Sequence, residues 1–465
     1  MAKEREAKVE RVPPIERMGY GISRSVERWF PDPFLFAIIL LFVVFIMAWA
    51  IQGSNPYECM QYMYKGFWAF LAFAMQMCII LMTGYAIAYH PAVHRGLIRL
   101  CGWPKNGKQA AALVAAVGTI LAWVNWGLGL IVGALMAREM GRQAYFRKIP
   151  VHYPVLCAAG YAGLGLIWHY GLSASAPLLM TVEKHFLWEL TGEAVIPVNM
   201  TIFSGYAIGM SVLVLLFAVG ICYLLHPKPE RCRGIEQYAP ELIGEEAKEE
   251  KPVVVSVADK IENNRWIAIL MMAIMVGSMV WWFATKGFMK GLDLNSINFI
   301  FVLIGLALYH NPIAYLRTIV RAAAVVGGII LQFPFYAGIQ GVMMYSGLGV
   351  TIARWLARAA TPFWWPAACW FIAGIVNIFI PSGGGEWMTI GEIMTRVTNE
   401  LGVPIGKTII AYASGDAWTN LANPFWAIPL LAITRMRVRD VFGYPLTICA
   451  ISMIVFFLGL TFIPY

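Results

Sequence analysis

The sequence predicts an all-α membrane protein made of two inverted repeats, with about nine spans, two re-entrant hairpins and two broken helices. Three observations carry that expectation. Of 465 residues, 60% are hydrophobic and only 13% charged, against roughly 25% charged in a soluble domain. The charge sits in short basic clusters between long apolar runs, as lipid-spanning segments and their loops require. The order of motifs in the first half also recurs in the second. A soluble fold is excluded, because soluble helices need a polar face.

The N-terminal 1–30 reads as a basic cytoplasmic leader with Arg17, Arg24 and Arg28. A cleavable signal has a shorter charged region, so the run from Phe34 to Ile51 is expected to be a first span with a cytoplasmic N-terminus. Further spans are expected at 64–89, 152–190 (broken), 201–225, 266–285, 295–310, 322–346, 406–431 (broken) and 440–463. The stretches 109–137 and 361–398 are too long for one span of about 20 residues and hold Gly, Asn or Pro at their centres. They read as re-entrant hairpins. Arg95, Arg99, Lys105 and Lys108 precede the first, and Arg138, Arg142, Arg147 and Lys148 follow it. Two basic flanks place both ends in the cytoplasm.

Residues 226–265, with Glu241, Glu245, Glu246, Glu249 and Glu250, read as a solvated cytoplasmic linker between a first repeat (31–225) and a second (266–465). Arg354 and Arg358 conflict with this topology, because they fall on the outer side. Gln76 in "FAMQM" resembles Gln332 in "LQFPF", an offset of 256. Asn125 in "VNWGLG" resembles Asn377 in "VNIFIPSGGG", an offset of 252. A broken span follows each hairpin: "GLSASAPLL", then "TNLANPFWAIPLL". The extra span near 266–285 would invert the second copy.

The net charge of +9 follows from the positive-inside bias, and no nucleic-acid motif accompanies it. The eight cysteines show no spacing for a disulfide frame or a zinc site. His90 and His94, beside Pro91, read as an interfacial loop rather than a metal site. No HEXXH, GxSxG or P-loop is present, so neither enzyme nor ATP-driven chemistry is expected, and no cofactor.

Candidate chemistry lies at the helix breaks. Backbone freed at membrane depth survives only where it lines a protein-enclosed cavity. Helix N-termini there suit a carboxylate, and freed carbonyls suit Na⁺ or a proton-carrying water. The first tip offers Asn125, Gly127 and Gly129; close helix packing is the alternative role of the glycines. The second offers Pro381, Ser382, Gly383, Gly384 and Gly385. The broken spans add Ser173 and Ser175, then Thr419, Asn420 and Asn423. His169, Glu386 and Asp416 are ionisable groups beside the breaks, and such groups in a span are coupling candidates by default; His169 suits proton exchange near neutral pH. Trp168, Trp364, Trp365 and Trp426 read as interface belts or as walls for an acyl chain.

With these residues in view, the chain resembles the bacterial short-chain fatty acid transporter family, within the wider ion-transporter superfamily. The resemblance runs from about Gly21 to the C-terminus. It rests on "RWFPDPFLFA", "GFWAFLAFAMQM", "NWGLGLIVGA", "LQFPFYAGIQ", "PSGGGEW" and "NPFWAIPLLAI". It implies an inner-membrane secondary transporter, coupled to H⁺ or Na⁺, for short monocarboxylates such as butyrate or acetoacetate. Asn125, Ser173, Asn377, Ser382 and Asn420 would then surround substrate or ion. The stretch "IWHYGLSAS" departs from the family pattern, which is glycine-rich where His169 and Tyr170 stand. Related superfamily members often pair as homodimers, an assembly the resemblance allows here. A dicarboxylate or other organic-anion carrier is the alternative of the same class, and an anion channel is the alternative of another.

Overall fold

The computed structural model describes residues 14, 18, 33–69, 71–244, 256–358 and 360–465. Apart from residues 14 and 18, the basic leader lies outside the described residues, as do Glu245, Glu246, Glu249 and Glu250. Among those described there is no strand, and five helices are long and apolar enough to cross a membrane, with shorter apolar helices beside them.

The first half begins with α1 (Pro33–Gln52), α2 (Pro56–Ala69), α3 (Leu71–Tyr89) and α4 (Pro91–Cys101). The span expected at 64–89 starts earlier, at Pro56. Asn55 and Glu58 cap each other's backbone N–H at 2.9 and 3.0 Å, a start signal independent of hydropathy. His90 and His94 stand at the start of α4 rather than in a loop. His90 Nδ1 accepts from Ala92 N at 3.4 Å.

The hairpin is α5 (Gly107–Val124) and α6 (Trp126–Phe146), joined at Asn125. Its arms of 18 and 21 residues are about 27 and 31 Å long, so they run beyond the expected 109–137. The second arm continues because Arg142 Nε lies 3.0 Å from Glu139 Oε2, pairing the charges the sequence reading took as its end. Both arms pack on α7 (Tyr153–Leu166). At this crossing Gly133 meets Gly160 backbone to backbone, and a Cβ on either would collide with the other's carbonyl. A 3-10 turn (168–170), the short α8 (Ser175–Leu179) and irregular chain follow, then α9 (Gly205–Leu225).

The linker differs from expectation. His226, Ile235 and Ala239 are buried. His226 Nε2 accepts from His152 N at 3.0 Å, and His152 Nδ1 accepts from Arg233 N at 3.1 Å. His152 Nε2 also lies 2.7 Å from Tyr444 Oη. These contacts bolt the chain after α9 onto the start of α7. Composition showed charge, while the apolar Ile235 and the histidines anchor it.

The second half comprises α10 (Arg265–Lys286, the extra helix), α11 (Leu294–Tyr309), α12 (Pro312–Tyr345), α13 (Leu348–Ala357), α14 (Trp365–Asn377), α15 (Gly383–Glu400), α16 (Ile405–Asn420), α17 (Ile428–Thr434) and α18 (Gly443–Phe462). The span expected at 322–346 is the last part of the 34-residue α12. Asn311 starts that helix by accepting from Ile313 N and Ala314 N at 2.9 and 3.0 Å. Arg354 and Arg358 are exposed on and just after α13, as Arg95 and Arg99 are on α4. In the second hairpin α14 lies along α16 rather than along α15, with the Trp370 and Trp418 rings 4.6 Å apart. Gly374 admits the Trp418 ring, which a Cβ there would meet at 2.6 Å. That is the same partnership α5 makes with α7 in the first half.

Candidate functional site

Four interruptions meet in the interior: the Asn125 turn, residues 167–174 after α7, residues 378–382 between α14 and α15, and residues 421–423 after α16. Each leaves backbone groups without a helical partner, which an apolar interior does not tolerate. Neighbouring breaks and the helices packed on them supply several of those partners.

At the first tip, Asn125 ends α5 and caps α6, its Oδ1 accepting from Leu128 N at 2.9 Å. The next amide, Trp126 N, donates to Ser173 Oγ at 3.0 Å, tying this tip to the break after α7. Trp126 also sets its ring edge-on to Trp426, with centroids 5.2 Å apart. Gly127 and Gly129 serve packing. A Cβ on Gly127 would lie 2.9 Å from Ile80 O in α3, and one on Gly129 would collide with Ala122 in α5.

At the second tip, Ser382 caps α15, accepting from Gly385 N at 3.3 Å. Gly383 lies so close to the first half that a Cβ would stand 2.5 Å from His169 Cε1 and 2.6 Å from Ser175 Oγ. Any side chain there would push the two halves apart. Gly384 is buried in the same first turn. Asn377, the last residue of α14, points Nδ2 at Asp416 O (2.8 Å), Thr419 Oγ1 (2.9 Å) and Asn420 Oδ1 (3.0 Å).

The ionisable residues converge here. His169 and Asp416 are fully buried, and His169 Nδ1 stands 2.7 Å from Asp416 Oδ2. His169 Nε2 accepts from Ala176 N at 3.1 Å and lies 3.3 Å from Ser175 Oγ. An accepting Nε2 places the proton of a neutral ring on Nδ1, beside the carboxylate. Glu386 is fully buried, with Asp416 and Tyr412 as its electrostatic neighbours. Tyr412 Oη donates to Gly383 O at 2.8 Å.

Between these groups lies a cavity of about 10 Å³, room for about one water. Ser175, Ser382, Gly383 and Asn420 form its polar side; Met77, Leu164 and the tryptophans 126, 168 and 426 form its apolar side. Asn423 caps the turn after the break, its Oδ1 accepting from Phe425 N at 3.1 Å. Of the residues expected from sequence, Ser175, Ser382, Gly383 and Asn420 line this cavity, Asn125, Ser173, Asn377 and Asn423 make internal hydrogen bonds, and Gly127 and Gly129 pack against α3 and α5. Three that were overlooked hold the centre together. Tyr161 Oη donates to Asn420 O at 2.8 Å, the Tyr412 bond is described above, and Gln340 Nε2 donates to Gly385 O and, at 3.0 Å, to Thr389 Oγ1. Gln340 was legible as a lone amide in an apolar run. The tyrosines carried no such signal.

An all-helical apolar bundle that encloses a buried polar centre at its helix breaks is the build of a multi-pass membrane transport protein rather than an enzyme. The chain belongs to the short-chain fatty acid transporter family, whose sequence profile matches residues 14–463. It is 36% identical over 450 residues to a provisionally named short-chain fatty acid transporter of Escherichia coli (strain K12), covering 96% of this chain and 99% of that protein. It is 34% identical over 456 residues to one so named from Haemophilus influenzae (strain ATCC 51907 / DSM 11121 / KW20 / Rd), covering 97% of this chain and 100% of that one. Its fold is similar to the crystal structure of the Alcanivorax borkumensis YdaH transporter. The TM-score is 0.50 at 16% sequence identity, over 93% of this chain and 97% of that chain.

Proposed function

We propose that this protein is a proton-coupled carrier that takes short monocarboxylates such as butyrate across the bacterial or archaeal inner membrane by alternating access. The observation that carries the proposal is the His169–Asp416 contact of 2.7 Å, one residue from each half, buried beside a cavity with both polar and apolar walls. Helix N-termini at Trp126 and Gly383 favour an anion. A carboxylate at Asp416 opposes one, because like charges repel strongly at low dielectric. A carboxylate therefore enters with compensating positive charge, and a proton on the His169–Asp416 pair supplies it.

The repeated element order supports an inverted second copy, with both hairpins re-entrant and the N-terminus in the cytoplasm. In that arrangement α4 and α13 lie at opposite membrane surfaces. Each then presents an arginine pair to headgroups, which accounts for Arg354 and Arg358 on the outer side.

The test is uptake of labelled butyrate into proteoliposomes, with pH and Na⁺ gradients imposed one at a time. Accumulation driven by the pH gradient and blocked by other short monocarboxylates is expected. Accumulation driven by Na⁺ alone would remove the proton-carrying role. Saturable uptake of a dicarboxylate in place of butyrate would remove the substrate reading.

A further inference from the structure

The cavity wall contains two buried donors that nothing in the protein uses. Trp126 and Trp168 both line it, at 2% and 6% exposure, and the indole Nε1 of each has no hydrogen-bond partner. A buried tryptophan N–H normally finds an acceptor, and an unpaired one costs free energy. The rings are also held from other sides. Trp168 stacks on His169 with centroids 4.1 Å apart at 11°, and Trp126 meets Trp426 edge-on. Neither ring can turn away cheaply to find a partner elsewhere. Trp126 and Trp168 come from the first tip and from the first broken span, so any acceptor they share bridges two elements that move in a carrier.

We propose that, when the cavity widens in the transport cycle, the indole N–H groups of Trp126 and Trp168 bind the carboxylate of the substrate, doing with neutral donors what an arginine does in other anion sites. The inference rests on the carboxylate reading above and adds the residues that recognise it. Neutral donors suit this site for a physical reason. An arginine beside Asp416 would neutralise it permanently and remove the need for a co-transported cation, whereas an indole N–H stabilises the anion and leaves that requirement in place. The chemistry selects an acceptor with an apolar tail, because both tryptophans line the cavity together with Met77 and Leu164.

The test is the kinetics of butyrate uptake in proteoliposomes by Trp126→Phe and Trp168→Phe, which keep the ring and remove the N–H. Trp370→Phe is the control, since its Nε1 is likewise buried and unpartnered but lies away from the cavity. A hydrogen bond to a charged group supports an expected rise in KM of about tenfold or more for each cavity variant. The maximal rate should change little and the control KM should stay put. KM values within about twofold of wild type in both cavity variants, with wild type transporting, would overturn the inference and leave the carrier reading intact. An equal rise in the control would also overturn it, as a general effect of losing indole N–H groups. A wild-type protein with no saturable uptake of any short monocarboxylate would overturn the carboxylate reading and this inference with it.

Discussion

His169 Nδ1 lies 2.7 Å from Asp416 Oδ2, and this contact joins the broken span of the first half to the broken span of the second. His169 is fixed on its other side by the amide of Ala176, while neither Asp416 oxygen has an aligned hydrogen-bond donor, so the 2.7 Å contact holds by charge and proximity. The histidine of the pair is thus locked in place, while the buried carboxylate keeps unused acceptor capacity.

Replacing Asp416 by Asn should uncouple transport. A gradient of one pH unit is worth about 1.36 kcal/mol per proton, enough for about tenfold accumulation with one proton per substrate. D416N should reach no accumulation above equilibrium, yet still exchange labelled for unlabelled butyrate in counterflow. Gradient-driven accumulation equal to wild type would exclude Asp416 as the coupling residue.

Asn377→Ala should cost stability as well as transport. Its Nδ2 serves Asp416 O, Thr419 Oγ1 and Asn420 Oδ1 in a buried setting, and leaving such groups unpaired costs about 1–3 kcal/mol. A lowered Tm of the detergent-solubilised protein is expected, together with a clear loss of uptake. Unchanged values for both would mean that another group takes over the three acceptors.

Acid should loosen the junction between the linker and α7. Burial is the main cause that lowers His152 to about 3, with His226 and Arg233 adding to it. Burial likewise lowers His226 to about 4, helped by Lys108 and opposed by the Pro227 carbonyl. Both folded values lie below the unfolded value of about 6.5, so the folded protein needs the neutral rings. Their contribution is complete above about pH 6.5 and is lost as pH falls toward 4 and 3. Thermal stability should therefore drop between pH 7 and pH 5, and His226→Gln should flatten that drop.

Gly133→Ala tests the close crossing of α6 and α7. Its new Cβ would collide with the Gly160 carbonyl, and overpacking of this kind costs about 1–3 kcal/mol. Reduced yield of monodisperse protein and a lower Tm are expected; wild-type stability would show that the crossing can slide apart at no cost.

A reporter inserted after Gly244 should read as cytoplasmic. A periplasmic reading would reverse the orientation inferred from the basic flanks of the first hairpin.

The membrane class and most helix positions were legible because apolar length and basic clustering are local properties of the chain. Helix α1 falls within a residue or so of its expected bounds. The asymmetry between the two hairpins was not legible, because Gly374 and Trp418 are 44 positions apart in the chain and only packing brings them together. Tyr161, Tyr412 and Trp126 were hidden for a related reason. An aromatic residue in an apolar run looks the same whether it meets lipid or donates to a carbonyl in the interior.

By itself, the sequence determined that this chain is helical and membrane-embedded, that its helices break at Asn125, near Ser173, at Ser382 and near Asn423, and which family it belongs to. Those features are written in composition, Gly and Pro placement and short motifs, which act over a few residues. Only the tertiary structure decided that the four breaks share one cavity, that His169 meets Asp416, and that Gly127 and Gly129 serve packing. Such relations join residues up to hundreds of positions apart. They arise because freed backbone and buried charge must find partners wherever the folded chain provides them.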